Sequence, residues 1–222
     1  YCFSAGNILY DKMLVQIAPQ SQLTRISSLG FAFGYLGGGV LFLVNAIMTL
    51  YPESFGLSGA SEAIRWSFIM VSVWWGFFLI PLVLHYKDRG SALYQKSLIN
   101  ESSKQVFITL KNISEHKNAF LFLLAFFLYI DGVHTVMALA STFALNLGLD
   151  SSAVIIGLIL VQFVAFPSTL IWSRLAAKYG DRWVINISIL VYIAIIIYST
   201  TLSSAIEFYI LAAGVGSVQG GI

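Results

Sequence analysis

The sequence predicts an all-α, polytopic membrane protein, a helical bundle of about seven transmembrane spans. Three observations carry this. Hydrophobic residues make up 58% of the chain and charged residues only 10%, where a soluble domain carries roughly 25% charged residues to face water. Seven stretches approach the ~20 mainly apolar residues needed to cross a hydrocarbon core about 30 Å thick. Basic residues also alternate between the connections: Lys12, Arg25, Lys87, Arg89, Lys96, Lys104, Lys111, Lys117, Arg174, Lys178 and Arg182 fall on one side and Arg65 alone on the other. The positive-inside rule makes the crowded side cytoplasmic, and a wrong helix count would have scrambled the alternation.

The first span runs over residues 1–18 and is the most polar. Ser4, Asn7 and Asp11 stand at i, i+3 and i+7, a stripe expected of a helix lining water or a solute path. Asp11 beside Lys12 reads equally as boundary chemistry at the cytoplasmic end. The second span, Ile26–Leu50, places Gly30, Gly34 and Gly38 four apart, with Gly37 and Gly39 extending the row. Lipid gives apolar helices no reason to associate, so close backbone approach at small residues must supply one. The third span is Ile64–Tyr86.

Residues 87–117 form the one extended polar segment. Val106, Leu110 and Ile113 recur at helical spacing among lysines, which fits an amphipathic helix on the cytoplasmic membrane face and equally a solvated linker. The segment divides the chain into residues 1–86, the end of one half, a cytoplasmic central loop over 87–117, and residues 118–222, the start of a second half.

The fourth span, Asn118–Leu147, holds Asp131 about 13 residues in, with His134 at i+3 and Thr135 at i+4. An ionisable group near the bilayer centre costs ~2.5–3.5 kcal/mol on insertion scales and therefore usually faces a cavity or a partner. A carboxylate and an imidazole on one face are suited to exchanging protons or holding a charged solute group. The structural alternative is that Asp131 caps a helix irregularity eased by Gly132, with His134 a satisfied core residue.

The fifth span, Ala153–Trp172, carries a small-residue row (Ala153, Gly157, Ala165), with Gln162 near its middle and Pro167 five residues later. Gln162 is expected to hydrogen-bond across helices, with solute contact as the second reading, and Pro167 to kink the helix. The sixth span is Trp183–Leu202. The last, Ala205–Ile222, repeats the small-residue device at Ala212, Gly216 and Gly220. These rows are static packing faces in one reading and sliding surfaces between two bundles in the other. Trp66, Trp172 and Trp183 fall near span ends, as interface anchors do.

A net charge of +2 gives no nucleic-acid footprint, and the single Cys2 forms neither an internal disulfide nor a metal cluster. No phosphate loop, nucleophile elbow or zinc-helix motif is present, so no enzyme, catalytic residue, metal or cofactor is expected. The expected partners are a small solute, protons and the lipid bilayer, with no oligomeric state indicated. The chain opens on Tyr1 within an apolar stretch and closes on Gly220-Gly221-Ile222, which reads as a piece of a longer protein.

The turn between the fifth and sixth spans, Ser173-Arg174-Leu175-Ala176-Ala177-Lys178-Tyr179-Gly180-Asp181-Arg182, resembles the cytoplasmic loop signature of the major facilitator superfamily, G-x-L-a-D-r-x-G-r-k. Leu175, Lys178, Gly180 and Arg182 match; Ser173 replaces the leading Gly and Ala177 the acidic residue. A broader likeness covers most of the chain. Residues 26–39, Tyr129-Ile130-Asp131-Gly132-Val133-His134-Thr135-Val136 and Val218-Gln219-Gly220-Gly221-Ile222 resemble the vacuolar amino-acid effluxer-like branch, the autophagy-related effluxers. Asp11 stands where that branch would have Asn. The resemblance implies helices four to ten of about twelve, with 87–117 joining two six-helix halves. It further implies proton-linked or facilitated movement of a small solute, with amino acids the family-level expectation. A bacterial plasma membrane, or alternatively a vacuolar one, is the implied location. A seven-helix receptor or a membrane-embedded assembly subunit are the competing classes.

Overall fold

The computed structural model describes residues 2–86, 103–104, 107–109 and 117–221, and the regular structure among them is helical. Seven longer helices follow in order: α1 Cys2–Ile17, α2 Leu23–Leu50, α3 Ala60–His85, α4 Lys117–Asn146, α5 Ser151–Tyr179, α6 Asp181–Ser199 and α7 Ala205–Val218, which continues as a 3-10 turn over Gln219–Gly221. This is an all-α, multi-pass membrane protein. Five helices, α2 to α6, are long and apolar enough to cross a membrane. The helices at the two ends of the given sequence, α1 and α7, have 16 and 14 residues. Most of the segment over 87–117, including Val106, Leu110, Lys111 and Ile113, lies outside the described residues.

Local chemistry sets the helix ends. Pro52 starts a 3-10 turn that Gly56 closes in the left-handed region at φ 70°. Ahead of α3, Glu62 Oε2 accepts from the Ser58 backbone N–H at 2.8 Å and from its hydroxyl at 2.7 Å. A full capping box starts α7: the Ser204 hydroxyl accepts from the Glu207 N–H, while Glu207 Oε2 accepts from the Ser204 N–H at 3.0 Å and the Ser203 N–H at 2.7 Å. The first N–H groups of a helix have no partner within it, and these glutamates serve the chain just ahead of it. Glu62 and Glu207 are thus helix starters.

The chain divides into two compact units, Tyr1–Ser67 with Leu139–Ile222, and Phe68–Ala138. In the first unit α2 packs on α5, α5 on α7, and α6 on α7. Glycine makes these approaches possible. A Cβ at Gly216 would lie 2.8 Å from the Val161 carbonyl oxygen and 3.0 Å from Val164 Cβ; one at Gly157 would strike the Phe208 ring, and one at Gly220 would strike Thr169. Gly39 of α2 lies on α5 with its missing Cβ 3.2 Å from Gln162 Cβ, and the Phe33 and Phe166 rings meet one seam position away at 6.4 Å. Of the row Gly30, Gly34 and Gly38, the first lies against the Tyr10 hydroxyl, 2.6 Å from where its Cβ would be, while the other two face open space among the described residues.

The helix α5 continues on both sides of Pro167, although Pro167 has no N–H to offer the carbonyl four residues back. In the second unit, large apolar residues such as Phe68, Val73, Trp75, Phe77, Phe127 and Leu128 stand exposed, as lipid-facing side chains do.

Candidate functional site

Among the described residues, two groupings of polar side chains stand out within apolar helices. The first is the face of α4 that carries Asp131, His134 and Thr135. The helix runs without interruption from Lys117 to Asn146, through Gly132, so Asp131 caps no irregularity. Asp131 stands 14 residues from the helix start, about 21 Å along a helix of about 45 Å. Asp131, His134 and Thr135 are exposed while Val133 between them is buried, as the helical period requires. Among the described residues neither Asp131 nor His134 has an ionic or hydrogen-bonding partner. An ionisable pair in this position needs a cavity, water or another polar surface to face.

The second site surrounds the end of α7. Tyr192 of α6 donates its hydroxyl to Gln219 Oε1 at 2.8 Å, and the Tyr35 side chain from α2 hydrogen-bonds the same carboxamide. Trp172 of α5 donates its indole N–H to the Ser217 carbonyl at 2.6 Å. Thr169 lies against Gly220, and Ser188 against Gly221. Ser188 precedes Tyr192 by one helical turn on the same face. The Ser188 hydroxyl is buried without a hydrogen-bond partner. Unpaired amide and hydroxyl groups are costly in an apolar medium, and here α2, α5 and α6 each supply a donor or acceptor to the 217–221 segment. Trp172 is half-buried and ties α5 to the end of α7 through this bond. Trp66 and Trp183 are exposed.

The remaining sequence candidates are dispersed. Asn7 is exposed on α1; Asp11 is on the same helix, with its side chain outside the described residues, as is that of Ser4. Gln162 is half-buried on α5 and packs its stem against Gly39. Among the described residues its carboxamide has no hydrogen-bond partner, so the bond expected across the helices is not formed. At the turn between α5 and α6, Gly180 ends one helix and starts the next with φ 89° and ψ 152°, a conformation essentially restricted to glycine. Its N–H donates to the Ala176 carbonyl at 2.8 Å. Arg174, Lys178 and Arg182 are exposed around it, with the Lys178 ammonium 5.0 Å from the centre of the Tyr179 ring. No group of three His, Cys, Asp or Glu able to hold a metal ion occurs among the described residues.

The family model described as vacuole effluxer Atg22 like matches residues 14–222. The chain belongs to this family. An uncharacterized MFS-type transporter, YxiO of Bacillus subtilis, is 32% identical over 99% of the chain and 52% of its own length. Autophagy-related protein 22 of Yarrowia lipolytica is 26% identical over 64% of the chain and 27% of its own length. Autophagy-related protein 22-2 of Emericella nidulans is 25% identical over 77% of the chain and 32% of its own length. The chain thus spans about half the length of the bacterial relative and less of the fungal ones. No solved structure matches it.

Within this Atg22-like chain, sequence reasoning singled out the α4 face but missed the cluster at Gln219. Tyr35, Tyr192 and Gln219 are far apart in sequence, and each is a single polar atom group on an apolar helix. One local signal was present: Ser188 and Tyr192, four apart on an otherwise apolar stretch of α6, mark a polar face.

Proposed function

We propose that this protein is a secondary transporter, not an enzyme, that moves a small solute across a membrane by alternating access between two helical halves. Residues 1–86 contribute to one half and 118–222 to the other, with 87–117 as the cytoplasmic connection. Asp131 is the proton or solute-charge site, assisted by His134 and Thr135 on the same face of α4, and Asn7, Asp11 and Gln162 are further solute contacts. The observation that carries the reading is Asp131 itself: a carboxylate without a partner among the described residues, midway along an unbroken 30-residue apolar helix of an Atg22-like chain. Such a group is costly unless it meets water, a proton or a cargo.

Amino acids are the proposed solutes and efflux the proposed direction, on the strength of the effluxer description of the family. Protons are the proposed coupling ion, because a carboxylate and an imidazole, the side-chain types that carry protons through membrane pathways, share one face of α4. The proposed location is a bacterial plasma membrane, alternatively a vacuolar one, with the basic loop and the Gly180 turn on the cytoplasmic side. At that turn Arg174, Lys178 and Arg182 would pair with neighbouring helix ends as the halves move.

Reconstitution of the full-length protein in liposomes tests this. Uptake of a labelled amino-acid mixture is followed with and without a pH gradient, for wild type and Asp131→Asn. Gradient-driven uptake that the substitution abolishes is the expected result. Uptake unchanged by the substitution removes Asp131 from coupling, and no uptake by folded wild type removes amino acids as the cargo.

A further inference from the structure

The cluster at Gln219 joins parts of the chain that the transport reading assigns to different halves. Tyr35 belongs to α2, before the long polar segment; Tyr192 and Gln219 come after it. Their helices meet within one compact unit, where α2 packs along α5 and approaches the 3-10 turn at Gln219–Gly221. Tyr35 stands 12 residues into α2, Tyr192 11 into α6 and Gln219 14 beyond the start of α7, about 16 to 21 Å along each helix, which is close to the middle of a membrane. The two hydrogen bonds differ in kind. Tyr192 holds Gln219 from within the second half, whereas Tyr35 reaches it from the first. The adjoining seam, Gly39 on Gln162 and Phe33 beside Phe166, is apolar and small, and contributes no hydrogen bond across it among the described residues.

We propose that the hydrogen bond between Tyr35 and Gln219, aimed by Tyr192, is a latch that holds the α2–α5 seam closed in this state and releases when the two halves part. Gln219 suits the task because a carboxamide both donates and accepts, so it exchanges Tyr35 for water when the seam opens without a change of charge. A purely static bond would instead join surfaces that never separate. The latch rests on the transporter reading for its purpose, but its existence is measurable without any solute.

The seam supplies its own reporter. A Cβ placed on Gly39 lies 3.2 Å from Gln162 Cβ, within a few tenths of an ångström of the ~3.5–4.5 Å that a disulfide spans. The full-length protein carrying Gly39→Cys and Gln162→Cys, with Cys2 and any other cysteine replaced, is oxidised in liposomes, and the rate of cross-linking reports how often the seam is closed. Adding Tyr35→Phe, which removes one hydroxyl, is expected to slow cross-linking about three- to tenfold, the worth of a hydrogen bond of about 1 kcal/mol. Gln219→Met provides a second variant of similar shape with the same expected slowing, and Tyr198→Phe, on the exposed face of α6, is the control expected to change nothing. Equal rates with and without the Tyr35 hydroxyl overturn the latch. If wild type in the same vesicles fails to take up the labelled amino-acid mixture, the transport reading falls while the cross-linking rates still decide the latch.

Discussion

The polar groups of α4 and those around Gln219 solve the problem of polarity in an apolar helix in opposite ways. Tyr35, Tyr192, Trp172 and Gln219 are neutral and hydrogen-bonded, packed among glycines that let the helices close on them. Asp131 and His134 are ionisable and exposed, and face no partner among the described residues. The first arrangement spends close packing to satisfy polarity and so specifies one geometry. The second leaves a charge available, which is useful only if something else comes to meet it. If the proposed role of Asp131 holds, structure-holding polarity is neutral and paired in all but the Ser188 hydroxyl, and cargo-handling polarity is ionisable and left open.

The strongest way to break this contrast is to overfill the packed site. Gly216→Leu would drive a side chain into the Val161 backbone, with no flexible group to yield. Thermal unfolding in detergent should show a loss at the upper end of about 1–3 kcal/mol for an overpacked core. The same change at Gly34, which faces open space, should stay within about 0.5 kcal/mol, and equal losses at both sites would erase the distinction.

On the other side of the comparison, Asp131→Asn should leave thermal stability within about 0.5 kcal/mol. Gradient-driven uptake should fall at least about tenfold, equivalent to about 1.4 kcal/mol on the limiting step. A variant that loses stability as well would place Asp131 with the structural polar groups.

Smaller effects sharpen the boundary between caps and sites. Ser204→Ala removes the hydroxyl that accepts from Glu207 N–H and should cost about 1 kcal/mol of stability, measured by the same unfolding assay, with uptake per folded molecule unchanged. A selective loss of uptake would show that the Ser204–Glu207 pair takes part in transport.

The membrane fold was legible because its causes are local: apolar length, charge asymmetry and the limits that lipid places on an exposed backbone. The ends at Leu50 and Ala205 match the spans read from the sequence, while the fifth span, read as Ala153–Trp172, runs on to Tyr179, where Gly180 stops it. Asp131 was visible because one carboxylate in a long apolar run is improbable without cause. The Gln219 cluster was not, since its members are separated by up to 184 residues, from Tyr35 to Gln219, and only packing brings them together. The row Gly30, Gly34 and Gly38 shows the complementary limit: spacing identifies a face able to pack, while the partner helix selects Gly39. The Trp172 bond to the Ser217 carbonyl was hidden for a similar reason, because position along a span does not reveal which way the indole turns.

Gly180 has a mechanical consequence. It is at once the last cap of α5 and the first of α6, so the two helices share an elbow with no spare residue in it. Any change of angle between α5 and α6 therefore falls on the two dihedrals of Gly180 and the helix turns that flank it, and any residue with a Cβ at this position would be strained in the shared cap.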